Sequence, residues 1–198
     1  MNITFAIPGF PTDSDSVEGQ WLRRIVFSCA RRVGVVHKQP EALTFDIEGA
    51  FVPSSSDLAN AKALEALMNC LTDLDSLWLR MHPETPRLYD SDVIYQRTDI
   101  WDTIPALYGR RFGDCKSLAA CRVAELRARG IECRPVFRFI TEPSDSPYDQ
   151  TGYTMYHILV MFADNRVQGL WGDPSKVLGM VPPQESPVRG SITASKTA

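Results

Sequence analysis

The sequence predicts an α+β fold in one compact domain. Apolar residues recur at helical spacing in three stretches and alternate with polar residues in several others. The length of 198 residues is enough for one substantial core and short for two domains. A hydrophobic share of 44% and a charged share of 23% are typical of a folded globular protein. We therefore expect the predicted helices and strands to share a core.

The first half of the chain predicts a strand, a helix, a strand and a second helix. Apolar and polar residues alternate over 3–7 and 43–51, as they do in half-buried strands. Over 17–33 and 58–78 the apolar residues fall on one helical face instead, which predicts two amphipathic helices. Two prolines in the segment 81–86 end the second of these helices, because proline cannot continue it.

The second half predicts a helix that is followed by an antiparallel hairpin. Its predicted elements are a short extended piece at 93–95, a turn or short helix at 101–108, a helix at 114–129 closed by Gly130, and strands at 133–140, 153–162 and 167–171. A polar loop fills 141–152. We divide the chain into an N-terminal α/β extension (1–87) packed on the core, a core (88–182) and a flexible tail (183–198), since the tail has few large apolar side chains.

The charge balance argues against a nucleic-acid or membrane partner. Lys and Arg number 21 against 24 Asp and Glu, so the formal net charge of -3 creates no field that attracts polyanions. No stretch approaches the ~20 apolar residues that span a bilayer, and the N-terminus lacks the pattern of a signal peptide. We therefore expect a cytoplasmic protein. Its five cysteines then fit reduced thiols better than a disulfide framework.

One cysteine has the setting of a nucleophile. Gly113 and Asp114 precede Cys115 where the third helical pattern begins, which predicts that the thiol lies at a helix N-terminus. Asp114 is expected to stabilise this helix as its N-cap or as a first-turn acid, in preference to a catalytic role. The helix dipole there is expected to lower the pKa of the thiol. Gly113 is expected to leave the sulfur uncovered, and the Cys115 N–H to face a developing oxyanion. Cys121, on the same helix, is expected to be a buried small hydrophobe.

A base and a carboxylate follow from the predicted hairpin. Of the three histidines, His37 and His82 fall in predicted connections, whereas His157 lies in the middle of the most strand-like run. If 164–166 form a three-residue loop, His157 falls directly opposite Asp173, with Cβ atoms roughly 5 Å apart. The carboxylate could then orient the imidazole. This register is conditional on the turn, since a two-residue loop would offset the pair by one.

Three segments resemble the Cys, His and Asp boxes of the transglutaminase-like cysteine protease superfamily: GDCKSLAACRVAELRARGIECRPV, YHILV and WGDPSKVLGM. The resemblance is closest to small transglutaminase-like proteins encoded by tailed phages and prophages, in which a segment similar to WDTIPALYGRRFGDC precedes the helix. It implies that the core is papain-like, with the nucleophile helix packed on an antiparallel sheet. A glycine, an acid and a cysteine at a helix start are fairly specific in this context.

The resemblance also implies a role for each residue. Cys115 would be the nucleophile of a catalytic triad, His157 the general base and then the general acid, and Asp173 the orienting carboxylate. Trp101 and Trp78 are candidate side chains for the oxyanion hole, beside the Cys115 N–H. We expect a cysteine hydrolase, a peptidase or amidase, that acts on a protein or peptide substrate without a metal or other cofactor. The sequence shows no acidic loop of the EF-hand kind, so calcium activation is not implied.

Three alternatives stay open from the sequence. A lysine amine in place of water as the acyl acceptor would make the protein a protein-glutamine transglutaminase. A non-catalytic structural or assembly protein of a phage particle, with a virion partner, could keep the fold without the reaction. A structural zinc site could use Cys115, Cys121, Cys133 and His157, although the chain has no CxxC spacing.

Overall fold

Helices and strands are mixed along the chain, which confirms the α+β class. The computed structural model describes residues 3–10, 13, 15–33, 35–39, 44–48, 57–142, 153–163 and 171–180. In chain order its elements are β1 (Ile3–Ala6), α1 (Val17–Val33), β2 (Val35–Gln39), β3 (Thr44–Glu48), α2 (Asp57–Met81), a 3₁₀ turn (Leu88–Asp90), β4 (Ile94–Tyr95), β5 (Trp101–Asp102), α3 (Ile104–Arg110), β6 (Phe112–Gly113), α4 (Cys115–Ala128), β7 (Cys133–Glu142), β8 (Tyr153–Phe162), β9 (Trp171–Gly172) and α5 (Pro174–Val177). The predicted tail, 183–198, lies outside the described residues.

The strands form three small sheets in the described part of the chain. The first has the order β2-β3-β1-β5, with β1 antiparallel to β3 and parallel to β5. The second joins β4 and β6 in parallel. The third is the antiparallel sheet β7-β8-β9. The sequence missed three of these strands. Strand β2 places His37 opposite Asp46, where we expected a connection, β5 is a two-residue strand in the predicted turn at 101–108, and β6 lies between that turn and the predicted helix at 114–129.

The hydrophobic core lies between α2, α4 and the third sheet. Helix α2 contacts α1 and α4, and α4 contacts β7 and β8. The fully buried side chains Leu67, Leu71 and Leu74 belong to α2, and Val123 belongs to α4. One core cluster thus joins the predicted extension to the predicted core. Within the described ranges, no helix combines the length and apolar character that a membrane span requires.

Strand β9 corrects the predicted hairpin register. It pairs Val160 with Gly172 and Met161 with Trp171, whereas the predicted loop required Val160 to lie opposite residue 170. The register is therefore shifted by two residues, and Asp173 is not the cross-strand partner of His157. The predicted loop at 164–166 lies outside the described residues. The physical reason for the error is that periodicity fixes which face a strand buries, while the loop that connects two strands fixes their register.

Candidate active site

Cys115 is the first residue of α4, and Asp114 caps the helix, as predicted. The Asp114 backbone is extended (φ −101°, ψ −175°), and its carboxylate accepts a hydrogen bond from the Lys116 N–H at 3.2 Å. This arrangement satisfies one of the N–H groups that lack a partner at a helix start. The thiol is partly exposed, whereas Cys29, Cys70, Cys121 and Cys133 are all buried. Cys121 is fully buried, which confirms its predicted role in the core.

The electrostatic setting of Cys115 differs from the prediction. Burial raises the pKa of the thiol to about 11, and the neighbouring Asp114 carboxylate opposes the thiolate further. The Ile158 N–H, the Lys116 charge and the Lys116 N–H act in the opposite direction but are weaker than burial. The expectation of a lowered pKa is therefore wrong, because loss of hydration outweighs the helix terminus. At neutral pH the sulfur carries its proton and needs a base.

His157 and Asp173 form the pair that could supply this base. The His157 Nε2 lies 3.0 Å from the Asp173 Oδ2, and the side chains are 22% and 16% exposed. Asp173 also caps α5, since its Oδ1 accepts a hydrogen bond from the Lys176 N–H at 3.3 Å. One carboxylate oxygen of Asp173 thus contacts the imidazole, while the other caps α5. The imidazole is held through Nε2, which leaves Nδ1 as the ring nitrogen for a reacting group.

The short strand β9 pairs with β8 away from the residue that contacts Cys115. In the described residues β9 pairs only with Val160 and Met161, so it does not cover the edge at Ile158. The Ile158 N–H interacts with the Cys115 sulfur and favours its charged form. Because Ile158 directly follows His157 in β8, this contact brings the start of α4 to the part of the sheet that carries the imidazole.

Tyr95 connects the segment before Cys115 to the end of α5 and was not identified from the sequence. Strand β4 pairs Tyr95 with Gly113, two residues before Cys115. Its backbone N–H donates to the Leu178 carbonyl at the end of α5, at 2.8 Å. Burial raises the pKa of the phenol, and the nearby Cys115 raises it further. Tyr95 is therefore protonated at neutral pH and can donate a hydrogen bond. A lone tyrosine in a two-residue strand gives no sequence signal.

The two tryptophans proposed for the oxyanion hole have different settings. Trp101 is 5% exposed, and the Lys116 ammonium lies 5.9 Å from its ring centroid. It therefore lies close to the start of α4. Trp78 stacks on His82, with ring centroids 3.9 Å apart, and packs against Phe10 at 5.5 Å. The Trp78 ring thus contributes to packing, and the role of either indole in the oxyanion hole stays a prediction.

Gly113 is required for a reason other than the predicted one. A Cβ at this position would collide with the Leu107 Cδ1 of α3 and would reach 3.5 Å from the Ser117 Cβ. The glycine thus allows α3 and α4 to approach each other where β6 leads into the nucleophile helix. The prediction that it keeps the sulfur uncovered is corrected, because the crowded atoms belong to the core.

A buried carboxylate supports the helix that precedes the site. Asp75 of α2 is fully buried, and its Oδ1 accepts a hydrogen bond from the Ile104 N–H at 2.7 Å. Thr103, at the N-cap of α3, makes no side-chain cap, so Asp75 satisfies this helix start from another element. Burial raises the pKa of Asp75 well above its usual range, and Glu125 and Asp102 add to the shift.

Within the described residues, no group of three or more His, Cys, Asp or Glu side chains is arranged to hold a metal ion. The zinc set proposed from the sequence is not assembled there, because Cys121 and Cys133 are buried in the core on other contacts. His157 is engaged with Asp173 instead.

Comparison with known families gives one match. Residues 85–171 match the model of the transglutaminase-like superfamily. The matched range contains Cys115 and His157 and ends just before Asp173, so Asp173 is placed beside the imidazole by the structure alone. The α+β fold, with α4 on an antiparallel sheet, is consistent with the core of that superfamily. Searches of curated proteins and of solved structures gave no match.

Proposed function

We propose that this protein is a cysteine-dependent acyl-transfer enzyme that hydrolyses an amide or peptide bond of a protein or peptide substrate. The observation that carries the proposal is the 3.0 Å contact between His157 and Asp173 beside the strand position whose N–H interacts with the Cys115 sulfur. The match of residues 85–171 to a superfamily of thiol enzymes supports the reaction class. A nucleophile, a base and an orienting carboxylate are the groups that this chemistry requires.

The raised pKa of Cys115 defines the first step of the proposed reaction. His157 accepts the thiol proton at Nδ1 as the sulfur attacks the carbonyl carbon, and Asp173 stabilises the imidazolium that forms. The carbonyl oxygen becomes an oxyanion, which the Cys115 N–H binds. His157 then donates its proton to the leaving amine, and a thioester remains on Cys115. A water molecule, deprotonated by His157, releases the acid and restores the thiol.

Tyr95 is our candidate for the side-chain donor to the oxyanion. Its strand ties the segment before Cys115 to the end of α5, and its phenol is close enough to Cys115 for the two groups to oppose each other's ionisation. A protonated phenol donates one hydrogen bond without adding charge to the resting site. This assignment adds Tyr95 to the two tryptophans that were proposed from the sequence.

The proposal favours water over an amine as the acceptor. Nothing in the described residues marks a binding site for a lysine side chain, and water is always present. A transglutaminase would instead need to hold the amine against the thioester. Cytoplasmic location and a role in phage assembly stay predictions of the sequence.

The test uses a library of glutamine-containing peptides and mass spectrometry of the products, with and without a primary amine. We expect cleaved or deamidated products that require Cys115. An amine adduct that dominates at modest amine concentration would identify a transglutaminase. A thioester that never forms with any peptide, while the protein is folded, would contradict the enzyme proposal and favour the non-catalytic assembly protein.

A further inference from the structure

Lys116 is the residue after the nucleophile, and its side chain is enclosed on three sides. Its Nζ donates a hydrogen bond to the Thr98 carbonyl at 2.6 Å and forms an ion pair with the Asp114 carboxylate. The ring of Trp101 lies 5.9 Å from the same ammonium. Only 12% of the Lys116 side chain and 9% of the Asp114 side chain are exposed. A lysine in such contacts is not a solvated surface charge.

These contacts fix the turn that carries Cys115. Asp114 is bound twice by Lys116, through the backbone N–H at 3.2 Å and through the ammonium. Thr98 belongs to the segment between β4 and β5, and Gln96, in the same segment, donates to the Gly113 carbonyl at 2.9 Å. The ammonium therefore connects the helix cap to a segment that is distant in sequence.

We propose that Lys116 is a positioning residue for the nucleophile: its ammonium offsets part of the Asp114 charge and anchors the turn, so that the cap opposes formation of the thiolate less than an unpaired carboxylate would. The inference deepens the proposed function, because it concerns the same thiol. The Asp114 charge raises the pKa of the Cys115 thiol and the Lys116 charge lowers it, as expected if Lys116 offsets Asp114. The groups that act on the sulfur are Asp114 and Lys116 on its own turn and the Ile158 N–H of β8, and Tyr95 of β4 is close enough to respond to Cys115. Asp102 of β5 interacts with Asp114 and Lys116. His157 and Asp173 pair with each other, next to Ile158 in the sequence and before α5 respectively.

Asp114 is useful to the helix and harmful to the thiolate, and Lys116 resolves this conflict. A carboxylate at an N-cap stabilises a helix start. The same negative charge next to a thiol raises the free energy of the thiolate. A neutral partner for the carboxylate would leave that repulsion in place, while a cation in direct contact offsets part of it.

The experiment measures the rate of Cys115 alkylation by iodoacetamide as a function of pH, with the labelled peptide identified by mass spectrometry. For Lys116→Met we expect the profile to move to higher pH, with a rate about tenfold lower than that of the wild type at pH 8. For Asp114→Asn we expect a shift to lower pH. The double variant should lie between the two single variants. Lys62→Met, which removes an exposed lysine of α2, should leave the profile unchanged.

The result that overturns the inference is a wild-type pH profile in Lys116→Met or in Asp114→Asn. If Lys116→Met does not fold, Asp114→Asn decides alone, because asparagine keeps the cap and removes only the charge. Alkylation needs no substrate, so a failure of the proposed function would leave this test intact. Conversely, if the wild type hydrolyses peptides but the alkylation profiles of the variants do not shift, the proposed function stands and the role of Lys116 is wrong.

Discussion

Asp173 contacts His157 from a position one residue beyond the end of β9, and not from the directly opposed position in the hairpin. The Nε2–Oδ2 distance is 3.0 Å, although β9 ends at Gly172 and the register is shifted by two residues from the predicted one. Asp173 reaches the imidazole because the chain leaves β9 and turns into α5 at this residue.

Asp173→Asn is expected to lower kcat by about 10²–10⁴ without unfolding the protein. Asparagine keeps an acceptor for the Lys176 N–H, so the cap of α5 is preserved, but it no longer stabilises the imidazolium. The measurements are peptide hydrolysis and the thermal midpoint. Lys176→Met is the control, because the Lys176 side chain is 60% exposed and its Nζ lies 4.0 Å from the carboxylate, and such pairs contribute little. Equal loss of activity in both variants would argue against orientation of the imidazole.

Alkylation of Cys115 is expected to be slow at pH 7 and to rise about tenfold per pH unit up to about pH 10. Burial raises the pKa of this thiol to about 11, so few molecules carry the thiolate at neutral pH. The measurement is the iodoacetamide rate, with Cys115→Ala as the control for labelling at the four buried cysteines. A plateau below pH 8 would show that the thiolate is already formed, and would restore the expectation from the helix dipole.

Asp75→Asn is expected to change how stability depends on pH. The pKa of Asp75 is raised in the folded state. The stabilisation by its proton is therefore fully present below the unfolded pKa and is lost as the pH rises through the folded pKa. Asparagine keeps the acceptor for the Ile104 N–H and never becomes charged. The thermal midpoint of the variant relative to the wild type should therefore increase with pH. Asp73→Asn, at an exposed position of α2, should show no such trend.

Gly113→Ala is expected to lower the free energy of unfolding by about 1–3 kcal/mol. The added methyl group would collide with the Leu107 Cδ1. The matched control is Gly109→Ala in α3, where a Cβ meets nothing within 4 Å and alanine should stabilise the helix by up to about 1 kcal/mol. Chemical denaturation measures both. If Gly113→Ala costs as much in a Leu107→Ala background as it does in the wild type, the collision is not the cause.

Tyr95→Phe is expected to lower kcat by about 10² while KM changes little, since the phenol would act on the oxyanion and not on the ground state. Tyr89→Phe is the control, because Tyr89 is 38% exposed and packs under the Arg122 guanidinium. Steady-state kinetics on the same peptide separates the two constants. A Tyr95→Phe enzyme with wild-type kcat would leave the tryptophans as the side-chain candidates.

Much of the secondary structure could be predicted from the sequence because it depends on local patterns. The helix at 17–33 and the strand at 153–162 have the predicted bounds, and Asp114 caps α4 as expected. The short strands β4, β5 and β6 depend on partners elsewhere in the chain. Strand β5, for example, exists because Trp101 pairs with Phe5, and two residues carry too little periodicity to reveal that pairing.

The sequence by itself determined the chemistry that the site can offer: a thiol at the start of a helix, an imidazole in a strand and a carboxylate after the next strand. Only the tertiary structure decided the contacts and the protonation of these groups. It gave Cys115 a raised pKa, joined Asp173 to His157 outside the predicted register, and brought Tyr95 and Lys116 to the same thiol. The physical reason is that burial and charge act through space, so they depend on which distant segments pack together and not on residue spacing.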